Sequence, residues 1–168
     1  MATLLLAVLA VAGVDAWRTR DLPSGPAPDA AITLADGSTT TLAQWRARHP
    51  GRAVALHFWA EWCPVCKFEE PSVARLAADW PVLGIAMQSG NATRVAQVQR
   101  QRGMPWPTAV DPQAGLSRAW GVRVVPALVV IDAQGQVRFA TTGYTPGWGM
   151  RWRLWWAQVV PSLRTLVG

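Results

Sequence analysis

Cys63 and Cys66 are the only cysteines among the 168 residues of this chain, and they stand at positions i and i+3. That spacing puts both sulfurs on one face of a helix start, close enough to close a disulfide or to remain a dithiol. The apolar run before them reads as a buried strand and the segment after them as a helix. Cys63 then falls at the helix N-terminus, where unpaired N–H groups and the positive dipole end favour a thiolate. Such a site typically brings a cysteine pKa into the range of about 3.5–7.5. A sulfur that attacks well and also leaves well is what thiol–disulfide exchange requires. Two cysteines in one such pair argue for catalysis over a structural framework.

The elements that must position the pair can be read on either side of it. Ile32–Thr41, centred on Asp36-Gly37, predicts a short hairpin, and Leu42–His49 a short helix broken by Pro50-Gly51. Ala53–Trp59 is continuously apolar except for His57, as a central strand of a covered sheet should be. Pro64–Trp80 is the helix behind the cysteines, with Phe68, Val73, Leu76 and Ala77 expected inside and Pro71 as a kink. Val82–Met87 predicts a second buried strand, Asn91–Arg102 a polar surface helix closed by Gly103, and Trp106–Val110 a third strand. Pro112–Trp120 reads as a short helix, and Ala127–Ile131 with Val137–Thr142 as a hairpin. Trp148–Val167 is the closing helix, with Trp148, Trp152, Trp155, Trp156, Val159 and Leu163 expected on its core face. Strands alternating with helices and ending in a hairpin and a helix give an α/β fold with a mixed sheet.

Composition sets limits around this picture. A hydrophobic share of 51% supports a sizeable core, so the disulfide is not needed as a staple. The formal charge of +6 comes from arginines scattered along the chain, with no basic block and no recognition helix, which argues against a nucleic-acid partner. All three glutamates, Glu61, Glu69 and Glu70, flank the cysteine pair. Ala2–Val14 is apolar but shorter than the roughly 20 residues a bilayer span needs, and better suits a signal-peptide core. No basic residue precedes it, and Arg18 and Arg20 follow it. Asp21–Ala30, with three prolines, reads as an extended tether. The expected organisation is therefore a hydrophobic anchor or signal segment over 1–20, a tether over 21–30, and one domain over 31–168.

F-W-A-E-W-C-P-V-C-K at 58–67, Pro71 and Val125-Pro126 together resemble the thioredoxin superfamily. A-M-Q-S-G at 86–90, G-V-R-V-V-P-A at 121–127 and G-Y-T-P-G-W-G at 143–149 resemble its TlpA/ResA/DsbE branch. Within that branch they are most similar to the suppressor-of-copper-sensitivity D (ScsD) type of protein disulfide oxidoreductase. The resemblance implies a thioredoxin fold, a central mixed sheet flanked by helices behind an N-terminal hydrophobic anchor. It further implies a redox-active pair with no dissociable cofactor, cysteine-containing protein substrates, and a membrane redox partner. The expected place is the periplasmic face of a bacterial inner membrane, with the domain acting as a monomer and as a reductant.

Other residues carry open readings. Val125-Pro126 resembles the cis-proline loop that lies against the cysteines in this superfamily; an ordinary trans proline starting a strand is the plainer reading. Glu69 stands one helical turn past Cys66, where ResA-like proteins have an active-site glutamate, and either exchanges protons with Cys66 or is a solvated surface residue. His57 replaces the buried aspartate that thioredoxin has six residues before its first cysteine. It either relays protons or bonds a backbone carbonyl in the core. Trp62, with Trp59, is expected to shape the groove around Cys63. The rival function is a copper-binding or copper-delivery protein on the same fold, resembling the Sco family. That family uses C-x-x-x-C and a later histidine, whereas this chain has a two-residue gap and no histidine after Cys66. No metal ligand set is expected, since His49 and His57 are the only histidines.

Overall fold

The computed structural model describes residues 24–166, with side chains to Val159. The segment expected as anchor or signal, and Asp21–Pro23 of the expected tether, lie outside the described residues. Among the described residues, no helix is long and apolar enough to cross a membrane.

Among the described residues, eight strands and five helices follow one another: β1 (Gly25–Pro26), β2 (Ala31–Thr33), β3 (Thr39–Thr41), α1 (Leu42–Ala47), β4 (Val54–Trp59), α2 (Pro64–Ala77), β5 (Val82–Met87), α3 (Ala92–Arg102), β6 (Thr108–Asp111), α4 (Gly115–Ala119), β7 (Ala127–Ile131), β8 (Gln136–Thr142) and α5 (Gly147–Leu166). Six strands form one sheet in the order β1-β8-β7-β4-β5-β6, and β2 with β3 forms a separate hairpin. β4, β5 and β6 run parallel, while β7, β8 and β1 are antiparallel to their neighbours. This is the mixed α/β sheet expected from the sequence.

Every residue of β4, β5 and β7 is buried, because both faces of the sheet are covered. Side chains alternate between the two layers. Val54, Leu56 and Phe58 face a core with Trp45, Ile85, Trp120 and Val129. Ala55 and Trp59 face the other, with Cys66, Val73, Leu76, Met150 and Leu154. His57 lies between Ala55 and Trp59 in the period-two pattern, so the strand itself aims its ring towards α2 and α5.

Several expectations are corrected by tertiary packing. Gly25-Pro26, assigned to the tether, pair with Val137 and Gln136 of β8. Asp29 accepts a hydrogen bond from the backbone of Ala43 at 2.9 Å, so this stretch is docked on the domain. The third strand begins at Thr108, not Trp106, and the helix after it begins at Gly115. Asp111 delays that helix by accepting from Leu116 N–H at 3.0 Å and Ser117 N–H at 2.8 Å. In α2, Phe68 is exposed; the buried stripe is Cys66, Glu69, Val73 and Leu76, and the helix runs unbroken through Pro71.

In α5 the tryptophans point outward, and the inward stripe is Met150, Leu154 and Ala157. A methyl group on Gly147 would lie 3.3 Å from Cβ of Ser72, so α5 sits close against α2, a distance that indoles in the seam would not allow. The side chain of Leu163, expected on the core face, lies outside those described.

Candidate active site

β4 ends at Trp59, and a tight turn delivers Cys63 as the N-cap of α2 in extended backbone, followed by Pro64 at the first helical position. Proline fits there because its missing N–H is one that no helix carbonyl would accept. The Cys66 N–H donates to Cys63 Sγ at 3.1 Å, so the first sulfur accepts one of the free amides of the helix start. The two cysteines are joined as a disulfide with a Cα–Cα separation of 5.3 Å, inside the usual range for such bonds. Cys66 is fully buried, and Cys63 keeps only 4% of its surface.

Val125 and Pro126 lie against this pair. Their peptide bond is cis, and the Val125 carbonyl oxygen is 3.7 Å from Cys63 Sγ. Pro126 in turn accepts from Gly143 N–H at 2.7 Å, which ties the loop to the end of β8. Trp62 is 58% exposed and donates from Nε1 to the Gln88 carbonyl at 3.2 Å. Together with exposed Val65, Phe68, Val124 and Tyr144 it makes an apolar rim; Phe68 and Tyr144 touch with ring centroids 5.5 Å apart. The sequence reading placed Phe68 in the core of its helix and gave Tyr144 no role; both instead line this rim.

Beneath the sulfurs lies a buried polar pair. His57 Nε2 is 3.0 Å from Glu69 Oε2, and Glu69 Oε1 accepts the Thr145 N–H at 2.6 Å. His57, Glu69 and Thr145 are all buried, so the glutamate is not a solvated surface residue and the histidine bonds a carboxylate, not a carbonyl. The G-Y-T-P-G-W-G loop at 143–149 supplies Thr145, a partner that spacing around the cysteines does not reveal. The other two glutamates are held by arginines of α3. Glu61 pairs with Arg94, and Glu70 with Arg102 at 2.8 Å. Among the described residues, no group of three or more His, Cys, Asp or Glu side chains stands together where it could hold a metal ion. A groove of about 690 Å³ lined by Leu34, Met104 and Trp106 shares no residue with this site.

Residues 23–140 match the AhpC/TSA family. The chain belongs to that family. A thioredoxin-like protein of Haemophilus influenzae is 31% identical over 130 residues, covering 76% of this chain and 75% of the relative. The thiol–disulfide oxidoreductase ResA of Geobacillus thermodenitrificans is 27% identical over 150 residues, covering 83% and 84%. In structure, a DsbE-type protein of Chlorobium tepidum superposes with a TM-score of 0.71 over 82% of this chain and 99% of that one, at 24% identity. The fold is therefore thioredoxin-like, and the chain is a thiol–disulfide oxidoreductase of the family with its Cys-x-x-Cys pair at 63 and 66.

Proposed function

We propose that the protein passes two electrons between Cys63–Cys66 and cysteine-containing proteins, acting as a reductant at the periplasmic face of a bacterial inner membrane. The observation that carries this reading is the placement of the two sulfurs. Cys63 caps α2 under an apolar exposed rim, whereas Cys66 lies one turn inside, on the same buried stripe as Glu69. In the dithiol form, Cys63 thiolate attacks a substrate disulfide, breaking its S–S bond and releasing one substrate thiolate. Cys66 then loses its proton and attacks Cys63 Sγ. The mixed disulfide breaks, the second substrate thiolate leaves, and the resident disulfide forms. Two electrons have moved to the substrate, its two thiolates take up the proton that Cys66 released and one from solvent, and a membrane redox partner must restore the dithiol.

Glu69 is the acceptor for the Cys66 proton in this scheme, with His57 sharing the proton from behind. Val125 offers its backbone to the substrate segment beside Cys63, as an added strand would use it. The finer likeness to the ScsD type rests on the motifs at 86–90, 121–127 and 143–149.

Trapping tests the roles. Cys66→Ser protein in an oxidising compartment should accumulate covalent adducts through Cys63 on non-reducing gels, and Cys63→Ser protein should not. Adducts with Cys63→Ser alone would reverse the assignment. Equilibration with glutathione tests the direction; a potential as high as about −120 mV, that of a strong oxidant, would sink the reductant reading.

A further inference from the structure

The solvent side of α5 is aromatic where a solvated helix would carry mixed charge. At about 100° per residue, Trp148, Trp152, Trp155 and Trp156 fall within one arc opposite Met150, Leu154 and Ala157. They are 77%, 50%, 53% and 42% exposed. Trp152 stacks on Trp156 at 5.7 Å and meets Phe139 of β8 at 5.8 Å, so the patch runs from the helix onto the sheet edge. An exposed apolar surface of this kind marks a place where something docks.

Charge narrows what docks. From Ala133 to Gly168 the chain carries Arg138, Arg151, Arg153 and Arg164 and no acidic residue. Arg151 and Arg153 lie on either side of the tryptophan arc. Arg151 is braced by Asp79, just past the end of α2, at 2.6 Å, and Arg153 by the Gly149 carbonyl at 3.0 Å. α5 itself supplies no carboxylate and Asp79 is already taken up by Arg151, so a second copy would offer Arg153 no free acid from this helix. Indoles, apolar in body with one N–H, are the side chains that settle at the headgroup level of a bilayer. An aromatic face bordered by arginines is the composition of a helix that lies in that plane.

We propose that the outer face of α5, Trp148, Trp152, Trp155 and Trp156 with Arg151 and Arg153, docks flat on an anionic lipid bilayer surface. The inference stands apart from the exchange reading, since none of these residues touches the disulfide site. Its consequence is orientation: α5 packs on α2, so a docked α5 fixes the direction in which the cysteine helix faces.

The test uses the full chain reconstituted in vesicles of phosphatidylglycerol with phosphatidylethanolamine, and separately of phosphatidylcholine. Subtracting the emission of a variant carrying Trp148→Phe, Trp152→Phe, Trp155→Phe and Trp156→Phe isolates the light of these four indoles. Exchange with a small disulfide at the wild-type rate checks that the variant is folded; if it is not, the Trp152→Phe/Trp155→Phe double variant replaces it. In the anionic vesicles the isolated emission should shift to the blue and lose acrylamide quenching several-fold, and in phosphatidylcholine it should do neither. Equal accessibility in both vesicles, or equal shielding in both, would overturn the proposal. So would shielding in detergent micelles that grows with protein concentration, which would identify a second copy as the occupant.

Discussion

Replacing Glu69 should separate a carboxylate from its amide isostere by an amount that the hydrogen bonds around it determine. Oε1 accepts from Thr145 N–H at 2.6 Å and Oε2 lies 3.0 Å from His57 Nε2, all in a dry setting. Only an acceptor suits both sides if His57 carries its hydrogen on Nε2. Among the described residues no protein atom partners His57 Nδ1, so that tautomer leaves merely a lone pair unmet. In Glu69→Gln, an amide oxygen on Thr145 turns the NH₂ towards His57 and forces the imidazole hydrogen onto Nδ1, where nothing accepts it. The flipped amide instead sets NH₂ against the Thr145 N–H. Either way one buried donor is orphaned, at about 1–3 kcal/mol. Glu69→Ala orphans both partners and opens a cavity, so about 3–6 kcal/mol is expected, a large part of a domain's net stability. Urea unfolding of the oxidised protein, with the slope checked for constancy, reads both values. A Gln variant as stable as wild type would refute the argument, since it would mean that the pair accepts a donor at no cost.

Gly84 faces His57 across the strands, and a methyl group there would meet Thr108 Oγ1 at 2.5 Å and the Trp106 and Trp59 indole nitrogens at 3.0 and 3.1 Å. Gly84→Ala should therefore cost about 1–3 kcal/mol in the same unfolding assay, by overpacking. Phe68→Ser and Tyr144→Ser, at exposed positions, should leave stability within about 0.5 kcal/mol of wild type. Both should slow exchange with a protein substrate while leaving a small disulfide unaffected, as measured by stopped-flow. His49, edge-on to Trp45, is held below the usual imidazole pKa of 6.5 by partial burial, then by Arg52 and Arg48. The folded chain thus binds fewer protons than the unfolded one as pH falls through that range, so stability drops towards acid. His49→Gln should flatten the slope, and the ring should titrate below 6.5 by NMR.

What the sequence disclosed depended on how local the cause was. β4, β5 and β7 were readable because each is an apolar run, broken in β4 only by His57, and the cysteine pair because strand and helix meet at it. The end of the expected tether was not, since Gly25-Pro26 pair with residues of β8 more than a hundred positions on. The start of α4 was displaced by a side chain, Asp111, which caps backbone amides that spacing rules assign to a turn. In α5 the sequence reading took the tryptophan stripe as the core face, whereas Met150, Leu154 and Ala157 make a second apolar stripe. Which stripe faces inward was decided by how closely Gly147 lets the helix approach Ser72. Glu69 was left open between a proton acceptor and a solvated residue, although 66, 69, 73 and 76 make one helical stripe. Its chemistry was not legible, because Thr145 comes from 76 residues away.

The same geometry divides the labour of an exchange enzyme between two sets of residues. Cys63, Trp62, Val65, Phe68, Val124 and Tyr144 border solvent or reach it, and their contacts are available to a substrate. Cys66, Glu69 and His57 have no such access; their environment is set by β4, α2 and the Thr145 loop. Changes at the rim can then alter which partner is met without moving the electrostatics at the second sulfur. Changes in the buried set alter proton supply and stability together, since the carboxylate that would receive the Cys66 proton is also the one that satisfies a buried imidazole and a loop amide. Tuning the redox chemistry of this chain is therefore coupled to its folding, and tuning its specificity is not.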